Sequence, residues 1–577
     1  MKLLYTSLLL TALSYVVLFL SIICQSSLLF WLGALSLVVL LLTYPLFCKS
    51  DSKTLFLILI FVIMIGYVLG IFYQFYYNGT LLPIADTNFS MQLVEILSDK
   101  GYLFPPQGSF RGISYSHYPV SFIFGSIFAQ VTGLSPYLFA FFIYPLVNYF
   151  AILALFYMIA RSLIRSRIGA YIATCVFALN TQLLFFYSFQ VFHYEQIAWV
   201  FLLLTIYATL KSATEKNLVF VILASLSSFL CAASHHFTSY ILLVCSLSFL
   251  MLIPYVVVHK KIFRKKGILK ENLSRITEIS LLISTIVIAT KSFLTFPREG
   301  LTLSKVFSAI LATLLGQSSS TGVVKFDPWN YNVSEISVIL VGNIALFALA
   351  AFAFLFSLRH QAFRNRLTEI MALMIGASLF VLFQYSQFRG QEILRFFMPF
   401  TFVSGLLIGN FQSSLTSNSI KKTFFAFFIC TLAVFFVAQL TFAKYHPISN
   451  VGREPVVFTK NVEASINFIL NNGQVRYDII AYPLGYFEGL YAKFNITPKF
   501  HTETTVAAAI ANDGGKLLHT ADYLILYSPL DTQFISSFIE PELRDKWTFS
   551  VHELYSTSNK FYDNGRVIAF SKAKKLK

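Results

Sequence analysis

The chain has 577 residues, of which 57% are hydrophobic, 17% aromatic and 12% charged, with a formal net charge of +17. A soluble domain carries roughly 25% charged residues, and half that share, with 63 Phe, cannot remain in water as a globule. A soluble enzyme is excluded, and so is a nucleic-acid binder, because the basic residues fall in short connections between apolar runs.

A membrane-crossing helix needs about 20 mostly apolar residues. In chain order such stretches fall near 4–23, 27–47, 54–73, 136–160, 168–187, 195–212, 218–234, 238–258, 277–294, 334–357, 367–386, 396–412 and 423–443. The sequence therefore predicts about 13 transmembrane helices. The first is read as an uncleaved anchor, being too long for a signal-peptide core. Two shorter apolar stretches, Pro119–Leu134 and Leu301–Gly316, carry Pro, Gly, Ser or Lys and are expected to lie in the interface or re-enter it.

Charge tests this topology. With Lys2 cytoplasmic, the inner loops hold 20 basic and five acidic residues, including Arg161, Arg165, Arg167 and the run Lys260 to Arg275. Cytoplasmic loops carry such an excess, so the N-terminus is expected inside and the C-terminus outside. All six Cys lie in or at the ends of spans, which implies packing rather than a disulfide framework or a metal site.

Residues 1–443 thus form a membrane region with a large outer loop at 74–135, and residues 444–577 an extracytoplasmic α/β domain. In that tail the pattern predicts helices near 458–472 and 503–513. It predicts strands at Tyr477–Ala481 and Tyr523–Tyr527 and near 547–555 and 562–571. No glycine fingerprint or phosphate loop occurs there. Sequons at Asn78, Asn88, Asn332 and Asn495 are outer and Asn272 is inner, a pattern that chance also supplies.

Ionisable residues near a membrane are functional candidates, and here they share the outer side. They are Asp86 and His117; His193 and Glu195; His235 and His236; Arg298, Glu299 and Asp327; and Arg389, Glu392 and Arg395. Charged residues have to sit in loops, and half of all loops are outer. However, the connections at 187–194 and 235–237 are only a few residues long and still use His, Glu and paired His. The span interiors read as nearly free of charge. Asp86 opens a predicted helix through Leu97, where it is either an N-cap or a carboxylate held just above the membrane.

The order of an outer Asp leading into a helix that ends in DKGYLFP, then SYSHYPVSFIFGSIFAQVTGLSP, then a span ending in Arg resembles the first outer loop of the GT-C superfamily of polytopic glycosyltransferases. The resemblance covers about residues 60–160, and the remaining spans match in topology. It implies a polyprenyl-phosphate-linked sugar donor and a glycan, lipid or protein acceptor. It also implies that Asp86 deprotonates the acceptor or orients it with a metal. Asp86-Thr87-Asn88 has no second acid beside the first, unlike the paired acids of oligosaccharyl transferases or the Asp-Glu of protein mannosyltransferases. That favours metal-independent general-base chemistry, with no cofactor; a divalent ion held by His with Asp or Glu remains the alternative, without any HExxH-type spacing.

A leaving phosphate needs a cationic partner, and arginine offers planar bidentate recognition. Arg389 and Arg395 are the candidates, or else they pair with Glu392 to anchor the loop; Arg298 is a third. His117, His193, Glu195, His235 and His236 are candidate substrate-binding residues. Tyr115, Tyr118, Tyr194 and Tyr240 suit an interface belt or sugar stacking. Two competing classes stay open: a transporter or flippase of lipid-linked saccharides, and a non-catalytic envelope scaffold. The nearly uncharged span interiors and the lack of repeated halves count against the first, and thirteen spans exceed what an anchor requires.

Overall fold

The structure is a computed structural model. It describes the backbone chiefly at residues 118–134, 143–164, 166–178, 194–258, 275–293, 333–357, 393–414, 479–482, 503–520, 523–527, 543–563 and 567–571, with isolated positions elsewhere. Nine described helices come first: α1 (Val120–Thr132), α2 (Tyr144–Leu163), α3 (Arg167–Ala178), α4 (Tyr194–Glu215), α5 (Leu218–Ser234), α6 (His236–Val258), α7 (Arg275–Phe293), α8 (Val333–Ser357) and α9 (Ile393–Ser414). Three described stretches are long and apolar enough to cross a membrane by length and composition: Leu146–Leu163, Glu195–Glu215 and Arg275–Phe293. Further described apolar helices, α3 and α5 among them, are shorter.

Helices α2 to α7 alternate in direction. Helix α4 ends where Lys216 takes a left-handed φ of 55° and its N–H bonds to the Ser212 carbonyl. Asn217 then caps α5 by accepting from the Val219 N–H at 2.9 Å. A two-residue turn therefore makes α4 and α5 an antiparallel hairpin, tied midway by Thr205 and Ser227, whose hydroxyls are 2.8 Å apart. Helix α9 runs antiparallel to α3: Gly169 meets Gly409, Ala173 meets Gly405, and Phe177 packs edge-on to Phe402. Phe156 of α2 completes that core, stacked on Phe177 at 4.3 Å and edge-on to Phe402 at 5.1 Å. Between helices in lipid, close packing of small residues and rings supplies much of the attraction.

Helix α1 has 13 residues, about 20 Å at 1.5 Å per residue, too short to span. It ends at Gly133, whose φ of 66° and N–H bond to the Ala129 carbonyl make a left-handed cap. One face packs on α4 and α5, with Phe124 near Phe201 at 6.4 Å. Ile123, Ile127 and Val131, at successive spacings of four, form an exposed row along the helix. Near the start of the chain, Ser36 donates to Ser14 at 2.8 Å and Gly33 abuts Leu18, an antiparallel pairing of the first two predicted spans.

In the tail a four-stranded sheet has the order β1-β2-β4-β3: β1 (Ile479–Tyr482), β2 (Tyr523–Tyr527), β3 (Asn559–Asp563) and β4 (Val567–Ser571). Strands β1 and β2 are parallel; β2 with β4 and β3 with β4 are antiparallel. Helices α10 (Glu503–Thr520) and α11 (Arg544–Thr557) pack on each other. Residues 547–555, expected as a strand, lie in α11. Trp547, Ser550, Val551 and Leu554 are its buried residues, a spacing of three, four and seven that only a helix puts on one face. Ser550 fixes the helix pair by donating to the Ile510 carbonyl at 2.6 Å and accepting from the Gly514 N–H at 2.9 Å. The helix expected near 458–472 lies outside the described residues.

Candidate functional site

One end of the helical bundle gathers the start of α2, the end of α3, the start of α4, the α5–α6 joint, the end of α7 and the start of α9. Hydrogen bonds and ring contacts fix this grouping. Tyr144, at the start of α2, bonds to the Ser121 and Asn148 side chains and to the Ile197 backbone. Tyr149 donates to the Ala178 carbonyl at 2.9 Å, joining α2 to the end of α3. The antiparallel α4–α5 hairpin brings Glu195 to the same end as His235. The opposite end carries Arg161, Arg167, Lys211, Lys216 and Arg275, so basic residues of the short connections and the polar cluster lie at opposite ends.

Glu195 and His235 are fully buried, and His236 is partly buried. Glu195 accepts from the Trp199 indole N–H at 3.3 Å, one turn along α4. His235 is the single residue between α5 and α6, with extended φ and ψ of −158° and 134°. Its Nδ1 accepts from the Thr238 N–H at 3.4 Å and lies 3.0 Å from the Thr238 hydroxyl. His235 therefore serves as the N-cap of α6, a role ordinarily taken by Ser, Thr, Asp or Asn. An Nδ1 that accepts an N–H bond assigns the ring proton of the neutral form to Nε2. His236 stacks obliquely on His235, at 4.6 Å between ring centres, and reaches Tyr118 at 5.7 Å.

Sequence reasoning passed over Lys291. It lies in the last turn of α7 and is 6% exposed. Its Nζ donates to the Tyr118 hydroxyl at 3.4 Å and sits 4.7 Å and 5.2 Å from the ring centres of Tyr118 and Tyr240. The available signal was a single Lys in the otherwise apolar IVIATKSF run, hidden by counting that run as uncharged. Trp199, Tyr144 and Asn148 were also passed over, because none is unusual in a span.

Arg395 lies in the first turn of α9. The α3–α9 pairing places its backbone about two turns beyond Phe402 toward the end that holds Glu195, His235 and His236. Asp86, His117, His193 and Arg389 lie outside the described residues, as do Arg298, Glu299, Asp327 and Glu392. The predicted helix after Asp86 is described at Val94, Leu97 and Ser98, all helical. Val94 and Ser98 seat on α1. Gly125 leaves room for Val94, which a β-carbon there would approach to 2.7 Å. Ser98 donates to Ser126 at 3.1 Å, and Gln130 donates to the Ser98 carbonyl at 3.1 Å. Among the described residues, no three His, Cys, Asp or Glu side chains form a metal-ligating group.

Three solved structures share this architecture. The archaeal oligosaccharyltransferase AglB from Archaeoglobus fulgidus, in complex with an inhibitory peptide and a dolichol-phosphate, is 13% identical, with a TM-score of 0.50 over 89% of this chain and 74% of that one. An apo oligosaccharyltransferase from the same organism gives 12% identity and a TM-score of 0.56 over 92% and 75%. ArnT from Cupriavidus metallidurans, bound to undecaprenyl phosphate, gives 10% and 0.51 over 91% and 98%. The chain has the GT-C fold. The resemblance read from residues 60–160 thus extends over about nine-tenths of the chain as a fold. No family model matches the sequence, and no curated protein matches it.

Proposed function

We propose that this chain is an integral-membrane glycosyltransferase that moves a sugar from a polyprenyl-phosphate-linked donor to an acceptor on the extracytoplasmic face. The observation that carries this reading is the GT-C fold shared with AglB and ArnT, whose structures hold a dolichol-phosphate and an undecaprenyl phosphate. A polar, partly buried cluster at the bundle end away from the basic turns supports it, because a lipid-linked substrate presents its headgroup at such an end.

In this reading Asp86 takes the proton of the acceptor hydroxyl as its oxygen attacks the anomeric carbon. The bond from that carbon to the phosphate oxygen breaks, the configuration inverts, and the polyprenyl phosphate leaves with both electrons. Arg389 and Arg395 hold that phosphate. A general base of this kind contributes typically 10²–10⁴-fold. Replacing Asp86 by Asn removes the base and keeps the size and the capping capacity. Expression and donor binding are expected to persist while transfer falls by at least about 100-fold; transfer at the parental rate would contradict the role of Asp86.

A further inference from the structure

A lysine buried on a helix of membrane length costs free energy, so its surroundings must offset that cost. Around Lys291 the faces of Tyr118 and Tyr240 do so in part, both within the roughly 6 Å at which a ring attracts a cation. Tyr240 belongs to α6, inside the bundle. Tyr118 precedes Pro119, the N-cap residue of α1. The ammonium therefore joins α1 to the bundle. On its other side α1 carries Val94 and Ser98 through Gly125, Ser126 and Gln130, and Asp86 precedes Val94 by eight residues in the sequence.

We propose that Lys291 is a positioning residue: its ammonium, held between Tyr118 and Tyr240, fixes α1 against the bundle, and α1 in turn fixes Val94 and Ser98, which follow Asp86 in the sequence. The catalytic consequence rests on the reading of Asp86 as the base; the clamp does not. The clamp requires charge as well as bulk, because a ring face attracts an ammonium or a guanidinium far more than it attracts a thioether. Tyr118 also meets His236, so losing the cation loosens α1 without removing every contact at its start.

The test uses the full chain in lipid nanodiscs with the pair Phe124→Cys on α1 and Phe201→Cys on α4, single-cysteine versions serving as controls. In the parent the two ring centres are 6.4 Å apart, so the pair is expected to cross-link quickly with a short bifunctional thiol reagent. Lys291→Met slows cross-linking by about tenfold and Lys291→Arg restores it. Tyr118→Phe, which keeps the ring face, cross-links like the parent, whereas Tyr118→Leu does not. Without the added cysteines, Lys291→Met lowers kcat roughly ten- to thirtyfold and leaves the KM for a polyprenyl-phosphate-linked sugar within about twofold. Parental cross-linking in Lys291→Met overturns the proposal. Slowed cross-linking with an unchanged kcat keeps the clamp and overturns its catalytic consequence; slowed cross-linking in a protein with no transferase activity keeps the clamp and counts against the proposed function instead.

Discussion

Gly169 and Gly409 meet across α3 and α9 so closely that the carbonyl oxygen of each occupies the place where the other's β-carbon would stand. Neither position tolerates a side chain without moving a helix, and α9 carries Arg395 toward the candidate site. Overpacking of a well-filled interface typically costs about 1–3 kcal/mol. Gly409→Ala is therefore expected to destabilise the detergent-solubilised protein by about 1–3 kcal/mol, read as a lower midpoint of thermal unfolding. An unchanged midpoint would mean that α3 and α9 are not in this contact.

His235 meets α6 through Thr238, and the contact separates capping from chemistry. Thr238→Val removes the hydroxyl 3.0 Å from Nδ1 and keeps the backbone N–H bond, so the cap weakens by about 0.5–1.5 kcal/mol. His235→Asn can still cap, and it retains stability. If the His235 ring only caps, His235→Asn also retains transfer; if the ring touches the substrate, transfer falls while the unfolding midpoint holds. A transfer assay and a melting curve on the same samples distinguish the two roles.

Ser550 braces the tail. Its hydroxyl serves both the Ile510 carbonyl and the Gly514 N–H in a buried position, and leaving such groups unsatisfied costs about 1–3 kcal/mol. Ser550→Val is expected to raise proteolytic sensitivity near α10 and α11. Gly514→Ala should do the same, because a β-carbon there would lie 2.8 Å from the Ser550 hydroxyl oxygen. Equal protease resistance in parent and variants would contradict the bracing role.

The helical region was legible because a bilayer environment demands long apolar runs, and the short basic connections between them mark where the described helices turn back. The alternation read from Arg161, Arg167, Lys211, Lys216 and Arg275 agrees with the alternating directions of α2 to α7. His235 and His236 were legible through the shortness of their connection, which proves to be a single residue. Lys291 was not, since one charge in the last turn of a span changes its average hydropathy little. What marks it is the pair of aromatic rings supplied by Tyr118 and Tyr240, 173 and 51 residues away in sequence. Helix α11 was misread because the Trp-Thr-Phe-Ser-Val run has strand-type composition, and only burial of Trp547, Ser550, Val551 and Leu554 on one face reveals its period.

The most direct test of a lipid-linked donor is native mass spectrometry of the full-length protein incubated with lipid extract containing polyprenyl-phosphate-linked sugars. The parent is compared with the double variant Arg389→Ala/Arg395→Ala. Loss of charge-assisted hydrogen bonds to a phosphate costs roughly 1.5–3 kcal/mol each, so co-bound polyprenyl-phosphate sugar is expected in the parent and is expected to be lost from the variant. Ordinary phospholipid alone, equal in both, would contradict a lipid-linked sugar donor.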